Sequence, residues 1–254
     1  MLPILVLASP ERLWHWLLAL LINAALIALA QRLPLLTKRG WVHAGLLGTL
    51  LLGSLDWPGW WAVVLYLLLG SLVTKLGFRR KQDLGLAEAR GGRRGPENVW
   101  GSAATGAALA VLTVLPSAPI QLLLIGFAAS FAAKLADTCG SEIGKRWGRH
   151  TLLITSLRPV PPGTEGAISL EGTAASAVGS ALMALVMLQL GLLAGGGAWL
   201  LVALVGLVAT LIESLIGATL QPRFPWLTNE WVNALQTLIA ALLAMLLAVG
   251  LGLA

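Results

Sequence analysis

Two carboxylates sit where hydrocarbon should be. Asp137 and Glu213 fall inside long apolar runs, and a charge at the centre of a bilayer costs at least ~2.5 kcal/mol unless it is paired or liganded. Each belongs to a stripe of polar residues. Positions three, four, seven and eleven apart share one face of an α-helix, which aligns Lys134, Asp137, Ser141 and Lys145, with Glu142 beside them. The same spacing aligns Thr210, Glu213, Ser214, Gly217 and Gln221, and again Asn98, Ser102 and Thr105. A fourth stripe holds Asn229, Asn233 and Gln236, flanked by Glu230. Interhelical hydrogen bonds or solvated helix ends account for the hydroxyls and amides. The two carboxylates need more, and with lysines and amides around them they point to a polar active site or a permeation path. Carboxylates with amide neighbours are hard oxygen ligands suited to Mg²⁺.

Two connecting segments carry further chemistry. The stretch 78–97, FRRKQDLGLAEARGGRRGPE, holds six lysines and arginines around a GGRRG turn. It reads equally as a basic loop on anionic lipid headgroups or as a phosphate clamp, with glycine amides and bidentate arginines on the anion. The stretch 141–171 mixes a strand-like apolar run with PPGTEG. Too short and polar to span, it is expected to fold over or dip into the same face, with His150 and Arg158 as phosphate contacts.

These residues must be positioned by membrane helices. Of the 254 residues 57% are hydrophobic and only 11% charged, against about 25% charge in a soluble domain. Soluble enzymes, coiled coils and disordered chains are excluded, and a β-barrel would show strand-length alternation instead of runs such as Leu200–Leu211. The lone Cys139 excludes an intramolecular disulfide. The N-terminal stretch has no basic region with a small-residue cleavage site and no Arg- and Ser-rich transit segment, so neither leader is expected.

Eight hydrophobic segments stand out, near 13–30, 41–55, 59–77, 98–115, 119–140, 172–192, 197–220 and 230–253. They predict an all-α polytopic membrane bundle of about eight (7–8) helices, a single transmembrane domain over 1–254, with 41–55 short for a full span. If all eight cross, the connections 31–40, 78–97, 141–171 and 221–229 share one side. With Lys75 they hold 15 of the 17 lysines and arginines; Arg12 lies on the other side and Lys134 within segment five. The positive-inside rule makes that side cytoplasmic, with both termini opposite. All eleven tryptophans fall at predicted helix ends, Trp57 and Trp199 on the outer side and Trp100 and Trp226 on the inner side among them. That is where an amphipathic indole is favoured. The net charge of +6 is thus a matter of membrane topology, and nucleic acid is not an expected partner.

Several chemistries drop out. GSEIGKR lacks the spacing of a nucleotide-binding P-loop, no Cys/His cluster suits zinc, and no GxSxG elbow marks a hydrolase. An acid, amide and base cavity without a conventional nucleophile suits metal-assisted transfer of a phosphoryl or nucleotidyl group onto a lipid.

Five co-linear motifs, GLAEARGGRRGPENVWGSA, KLADTCGSEIGKRWGRHTLL, PVPPGTEGAISLEGT, ESLIGATLQ and LTNEWVN, closely resemble the phytyl-phosphate kinases of plants and photosynthetic bacteria. The likeness runs from about Lys75 to Asn233. More distantly, Asp137-Thr138…Gly144-Lys145…Gly148…His150 is similar to a motif of CTP-dependent polyprenol kinases and CDP-diacylglycerol synthases. Gly163-Thr164-Glu165-Gly166 lacks the lysine of their K-T-x-E-G motif, and Asn229 and Asn233 replace aspartates, which shifts metal binding to other acids.

The resemblance implies transfer of the γ-phosphoryl group of a nucleoside triphosphate, CTP, onto phytyl monophosphate. The product, phytyl diphosphate, feeds tocopherol and prenyl-quinone synthesis. It implies catalytic roles for Asp137, Lys145 and Glu213, and Mg²⁺ on Asp137, Glu142, Glu213 and Glu230. Phosphate or nucleotide binding falls to Lys75, Arg93, Arg94, Asn98, Lys134, Ser141, Gly163, Thr164, Glu165, Gly166, Asn229 and Asn233. The partners are an isoprenoid phosphate, a nucleoside triphosphate and membrane lipid. The implied location is a bacterial plasma or thylakoid membrane, or a chloroplast envelope, with the site facing cytoplasm or stroma. A lipid-phosphate cytidylyltransferase would use the same cavity, and a transporter of an anionic lipid or metabolite is the non-enzyme alternative.

Overall fold

A computed structural model describes residues 10–253; the expectation about an N-terminal leader lies partly outside them. Among the described residues eight α-helices follow one another: α1 (Pro10–Ala30), α2 (Lys38–Lys75), α3 (Phe78–Asp83), α4 (Pro96–Leu112), α5 (Ile120–Trp147), α6 (Leu170–Gln189), α7 (Gly195–Thr219) and α8 (Asn229–Gly250). Six of them, α1, α2, α5, α6, α7 and α8, are long and apolar enough to cross a membrane. At 17 residues α4 is only about 26 Å long, just under the ~30 Å of a hydrocarbon core.

Helix α2 accounts for two of the expected segments. At Asp56 the backbone leaves the helical region (φ 53°, ψ −156°). Pro58, which needs no amide partner, opens the helix again. The chain doubles back there. A Cβ on Gly48 would come 3.3 Å from Trp60 Nε1, yet twelve residues of straight helix would separate the two by about 18 Å. Arg94 touches both arms at the other end: its carbonyl oxygen lies against Gly40 and its guanidinium against Gly70. Segments 41–55 and 59–77 are therefore the antiparallel arms of one kinked helix.

The remaining contacts sort the helix ends onto two faces. On one, Arg12 donates to Val114 O (3.4 Å), His15 lies 3.3 Å from Asp56, and Gly197 meets Leu253. The opposite face carries 31–37, 75–95, 148–169 and 220–228, the basic connections. On that face the 148–169 segment folds over the bundle: Leu152 pairs with Ile168 and Leu153 with Ala167 as a two-residue antiparallel hairpin, β1 (Leu152–Leu153) and β2 (Ala167–Ile168).

Helix α5 is the axis. Phe127, Phe131, Ala132, Ala133 and Leu135 are fully buried in it, and α4, α6, α7 and α8 pack around it. Lipid offers no hydrophobic drive for helices to meet, so close packing of small residues and interhelical hydrogen bonds must hold them. Gly206 of α7 lies on the backbone of Ala132 and Ala133, and Gly140 of α5 against Ser176 of α6. Ser180 donates to Ala203 O (2.8 Å), Thr210 to Ala133 O (3.2 Å) and Gln236 to Ala133 O (3.1 Å). Much of the polar patterning of α7 and α8 is thus structural.

A Cβ on Gly206 would fall 2.2 Å from Ser180 Oγ and 3.0 Å from the Ala133 amide. Gly206→Leu is expected to cost about 1–3 kcal/mol by overpacking, read as a lower Tm in detergent. Gly196→Ala, which enters open space, should leave Tm unchanged.

Candidate active site

The basic face of the bundle encloses a cavity of about 340 Å³. Its floor is the second half of α5. Lys134 there is 6% exposed; its ammonium pairs with Asp137 one turn on and donates to Asn233 Oδ1 of α8 (2.9 Å). Removing either partner of such a buried pair would strand the other.

A second pair pins the roof. Lys81 of α3 is fully buried, donating to Thr74 O (2.8 Å) and pairing with Glu142 of α5. This clamps the short α3, and the basic loop after it, onto α5. The loop then crosses the cavity. Glu88 Oε1 accepts from Lys145 Nζ (3.0 Å), and Arg90 pairs with Glu97 and donates to Asn98 Oδ1 (3.1 Å). Burial pushes the Glu88 carboxyl up, but the Lys145 ammonium outweighs it and holds the group below its ordinary value. Asn98 also caps α4 by accepting from the Gly95 amide (2.9 Å) and reaches Glu230 (3.4 Å).

The wall opposite is the Gly163–Gly166 turn. Gly166 has φ 74°, and a Cβ there would come 2.4 Å from Ala218 Cβ and 2.6 Å from Ser214 O. Only glycine allows the turn to dock on α7. It brings Glu165 into the cavity, where burial raises the carboxyl above its ordinary value; Lys145 opposes this, and Asp137 and Glu88 reinforce it. Glu213 completes the lining from α7 and makes no ion pair among the described residues.

The cavity brings together Asp137, Lys145, Glu213, Arg93, Arg94, Asn98, Lys134, Ser141, Gly163, Thr164, Glu165, Gly166, Asn229, Asn233, Glu142 and Glu230. Lys75 is a correction: it is exposed and outside the cavity, because one residue step turns it about 100° from Thr74, which does line it. His150 and Arg158 are likewise exposed and outside. The Glu142 carboxylate, expected as a metal ligand, is paired with Lys81 and lies 4.0 Å from Lys145. Among the described residues no three His, Cys, Asp or Glu side chains group closely enough to hold a metal by themselves.

Sequence reasoning missed Tyr66, Glu88, Arg90 and Ser176, all in the lining, and Lys81 behind it. Glu88, Arg90 and Lys81 lie in the loop already singled out, but its composition did not say which side chains turn inward. A lone tyrosine in an apolar arm and a serine among alanines carried no signal.

Comparisons with known proteins agree with this architecture. The chain matches the family described as integral membrane protein DUF92 over residues 21–241. An uncharacterized membrane protein of Synechocystis sp. is 47% identical over 232 residues, 90% of each chain. The chloroplastic protein VTE6 of Arabidopsis thaliana is 40% identical over 224 residues, 84% of this chain and 67% of that one. An uncharacterized membrane protein of Methanocaldococcus jannaschii is 27% identical over 239 residues, 93% of this chain and 96% of its own. No solved structure matches the chain. A family match across most of the helical bundle, together with relatives this similar over two thirds or more of their length, assigns it: the chain belongs to the DUF92 family of integral membrane proteins.

Proposed function

We propose that this protein is an isoprenoid-phosphate kinase that moves the γ-phosphoryl group of a nucleoside triphosphate, CTP, onto phytyl monophosphate. The product is phytyl diphosphate, for tocopherol and prenyl-quinone synthesis. The observation that carries the reading is the lining of the cavity. Arg90, Arg93, Arg94, Lys134 and Lys145 alternate there with Glu88, Asp137, Glu142, Glu165, Glu213 and Glu230 at one end of a membrane bundle. The motif resemblance to phytyl-phosphate kinases and the 40% identity to chloroplastic VTE6 support the substrate class.

The chemistry suits such a lining. A phosphate monoester has a second pKa of about 6, so the acceptor is already a dianion at neutral pH. Its oxygen attacks the γ-phosphorus; the new P–O bond forms as the bond to the β-bridging oxygen breaks. Six negative charges enter on dianion and tetra-anion, and six leave on diphosphate and nucleoside diphosphate, so no proton needs to move. Positioning and charge stabilisation carry the barrier lowering. Lys145 and the arginines draw the two polyanions together, while the amides of the Gly163–Gly166 turn and Asn229 orient phosphate oxygens. Lys134 holds Asp137 in place.

The donor set fits Mg²⁺ delivered on nucleotide phosphates, which takes only one or two protein carboxylates. Asp137 and Glu213, with Glu230 beside Asn98, would hold it. Bound there, it would neutralise charge on the transferring phosphoryl oxygens.

Purified protein in lipid with Mg²⁺ and γ-labelled CTP is expected to put label into phytyl diphosphate when given phytyl monophosphate. Asp137→Asn should lower the rate by about 10²–10³-fold. Label in pyrophosphate would mean a cytidylyltransferase; no transfer to any lipid phosphate would leave a transporter. The clamp gives a separate test. Lys81→Met, which strands Glu142, is expected to cost about 3–5 kcal/mol and to lower Tm and turnover, and Lys81→Met with Glu142→Met should restore most of the Tm. The cytoplasmic placement of the basic face predicts that alkaline phosphatase fused after Ala254 is active in a bacterial host, whereas a fluorescent protein fused there stays dark.

A further inference from the structure

The polar cavity continues into an apolar one. Tyr66, Arg94, Asn98 and Ser102 line both. The second cavity, about 220 Å³, lies between α1, the two arms of α2 and the start of α4. Its walls include Leu26, Ile27, Leu47, Val63, Val64 and Leu67. Leu33 and Leu68, also in the lining, are 51% and 45% exposed, so the groove communicates sideways with the bilayer.

At the junction, buried polar groups lack partners. Tyr66 is 4% exposed and Trp41 5%, yet among the described residues neither the phenol hydroxyl nor the indole N–H has a hydrogen-bond partner. Burying such a group unsatisfied is costly, so a partner is expected. The Arg94 guanidinium makes no ion pair among the described residues; it lies 5.2 Å from the Tyr66 ring centroid. It fits there because Gly70 has no side chain: a Cβ would come 2.4 Å from Nη2. An unpaired cation and a free hydroxyl at the mouth of an apolar groove ask for one ligand with an anionic head and a hydrocarbon body.

The far end is closed by polar atoms. Trp60 Nε1 donates to Asn23 Oδ1 (2.8 Å), and Asn23 Nδ2 donates to Ala19 O (2.9 Å). Along its arm Trp60 lies six residues, about 9 Å, from Tyr66. A long chain can place only its first part in this space before leaving past Leu33 and Leu68.

We propose that this groove holds the tail of the lipid monophosphate acceptor, with its phosphate on Arg94 and the Tyr66 hydroxyl, and that the Asn23–Trp60 bond limits how deep the chain enters. The proposal rests on the phosphoryl-transfer reading of the polar cavity and adds which cations take the acceptor. Arg94 serves the lipid, leaving Lys145 and the Gly163–Gly166 turn to the nucleotide.

The test compares kcat/KM for phytyl monophosphate and isopentenyl monophosphate in full-length protein in nanodiscs. Val64→Trp, which fills the groove, should lower the long-to-short ratio by about tenfold, the scale of a few lost methylene contacts. Arg94→Lys, which loses the bidentate fork, should raise KM for both acceptors about tenfold. Leu242→Trp, on the lipid-facing side of α8 (56% exposed), should change neither. A readout independent of turnover is a phytyl monophosphate analogue with a photoreactive diazirine in its chain. It should label α1 and the arms of α2, and Val64→Trp should abolish that labelling. Groove labelling without phosphoryl transfer would uphold the groove and sink the kinase reading. Transfer with labelling elsewhere, or with an unchanged ratio in Val64→Trp, would overturn the groove.

Discussion

Everything on the basic face depends on Lys134 and Asp137 compensating one another inside α5. A helix threaded through hydrocarbon tolerates a charge only where an opposite charge or water meets it. With the pair one turn apart on the most buried helix of the bundle, α5 can carry ionised groups well into the protein. Once they are there, Asn233 on α8 can bond the lysine. Glu213 on α7 can face the same space without lipid around it. The polar cavity is thus a consequence of where α5 runs, and α5 runs there because Gly206, Gly179 and Gly140 let neighbouring backbones close on it.

The second buried pair, Lys81 with Glu142, works at a different level. It joins a helix too short to hold itself in place to one that cannot move. The segment from Leu84 to Gly95 has little hydrophobic contact of its own, so its position over the cavity is set by this clamp, by Lys145 with Glu88, and by the pairing of Arg94 with Leu35 and Thr37 through the backbone. A loop held by ion pairs on a rigid helix can admit polyanions, because the same arginines and lysines can exchange a carboxylate for a phosphate.

How much of this the sequence displayed follows from periodicity. Lys134, Asp137, Ser141 and Lys145 could be aligned because the helix repeat is fixed, and the crowding of basic residues into alternate connections separated the two faces. Periodicity fails at helix ends. Lys75 and Thr74 are neighbours in sequence, but only Thr74 turns inward, and nothing local marks which. Pairing across elements is invisible too: nothing in the sequence shows that Glu142 pairs with Lys81, 61 residues away. The doubling of α2 at Asp56 was legible as two segments, since Trp57, Pro58 and Gly59 interrupt the apolar run. That its arms wall a groove with α1 was not, because a groove is a property of what three helices leave unfilled.

The near balance of charge in the cavity constrains the proposed reaction. Six carboxylates and five basic side chains line it, so an unaccompanied nucleotide tetra-anion would meet as much repulsion as attraction, at the reduced effective dielectric of a partly enclosed space. In the proposed reaction a nucleotide carrying a divalent cation would bring its own compensation and would turn Asp137, Glu213 and Glu230 from repelling groups into ligands. The proposed acceptor would differ: its dianionic head would lie against Arg94, away from the carboxylate cluster around Lys145, and its tail would supply binding energy from apolar contact. The two substrates would then be recognised by opposite means, the donor through acids and a cation, the acceptor through an arginine and hydrocarbon. Asn98 stands where these regimes meet, bonded to Glu230 on one side and lining the apolar groove on the other. The short stretch of α4 that carries it sets the distance between them.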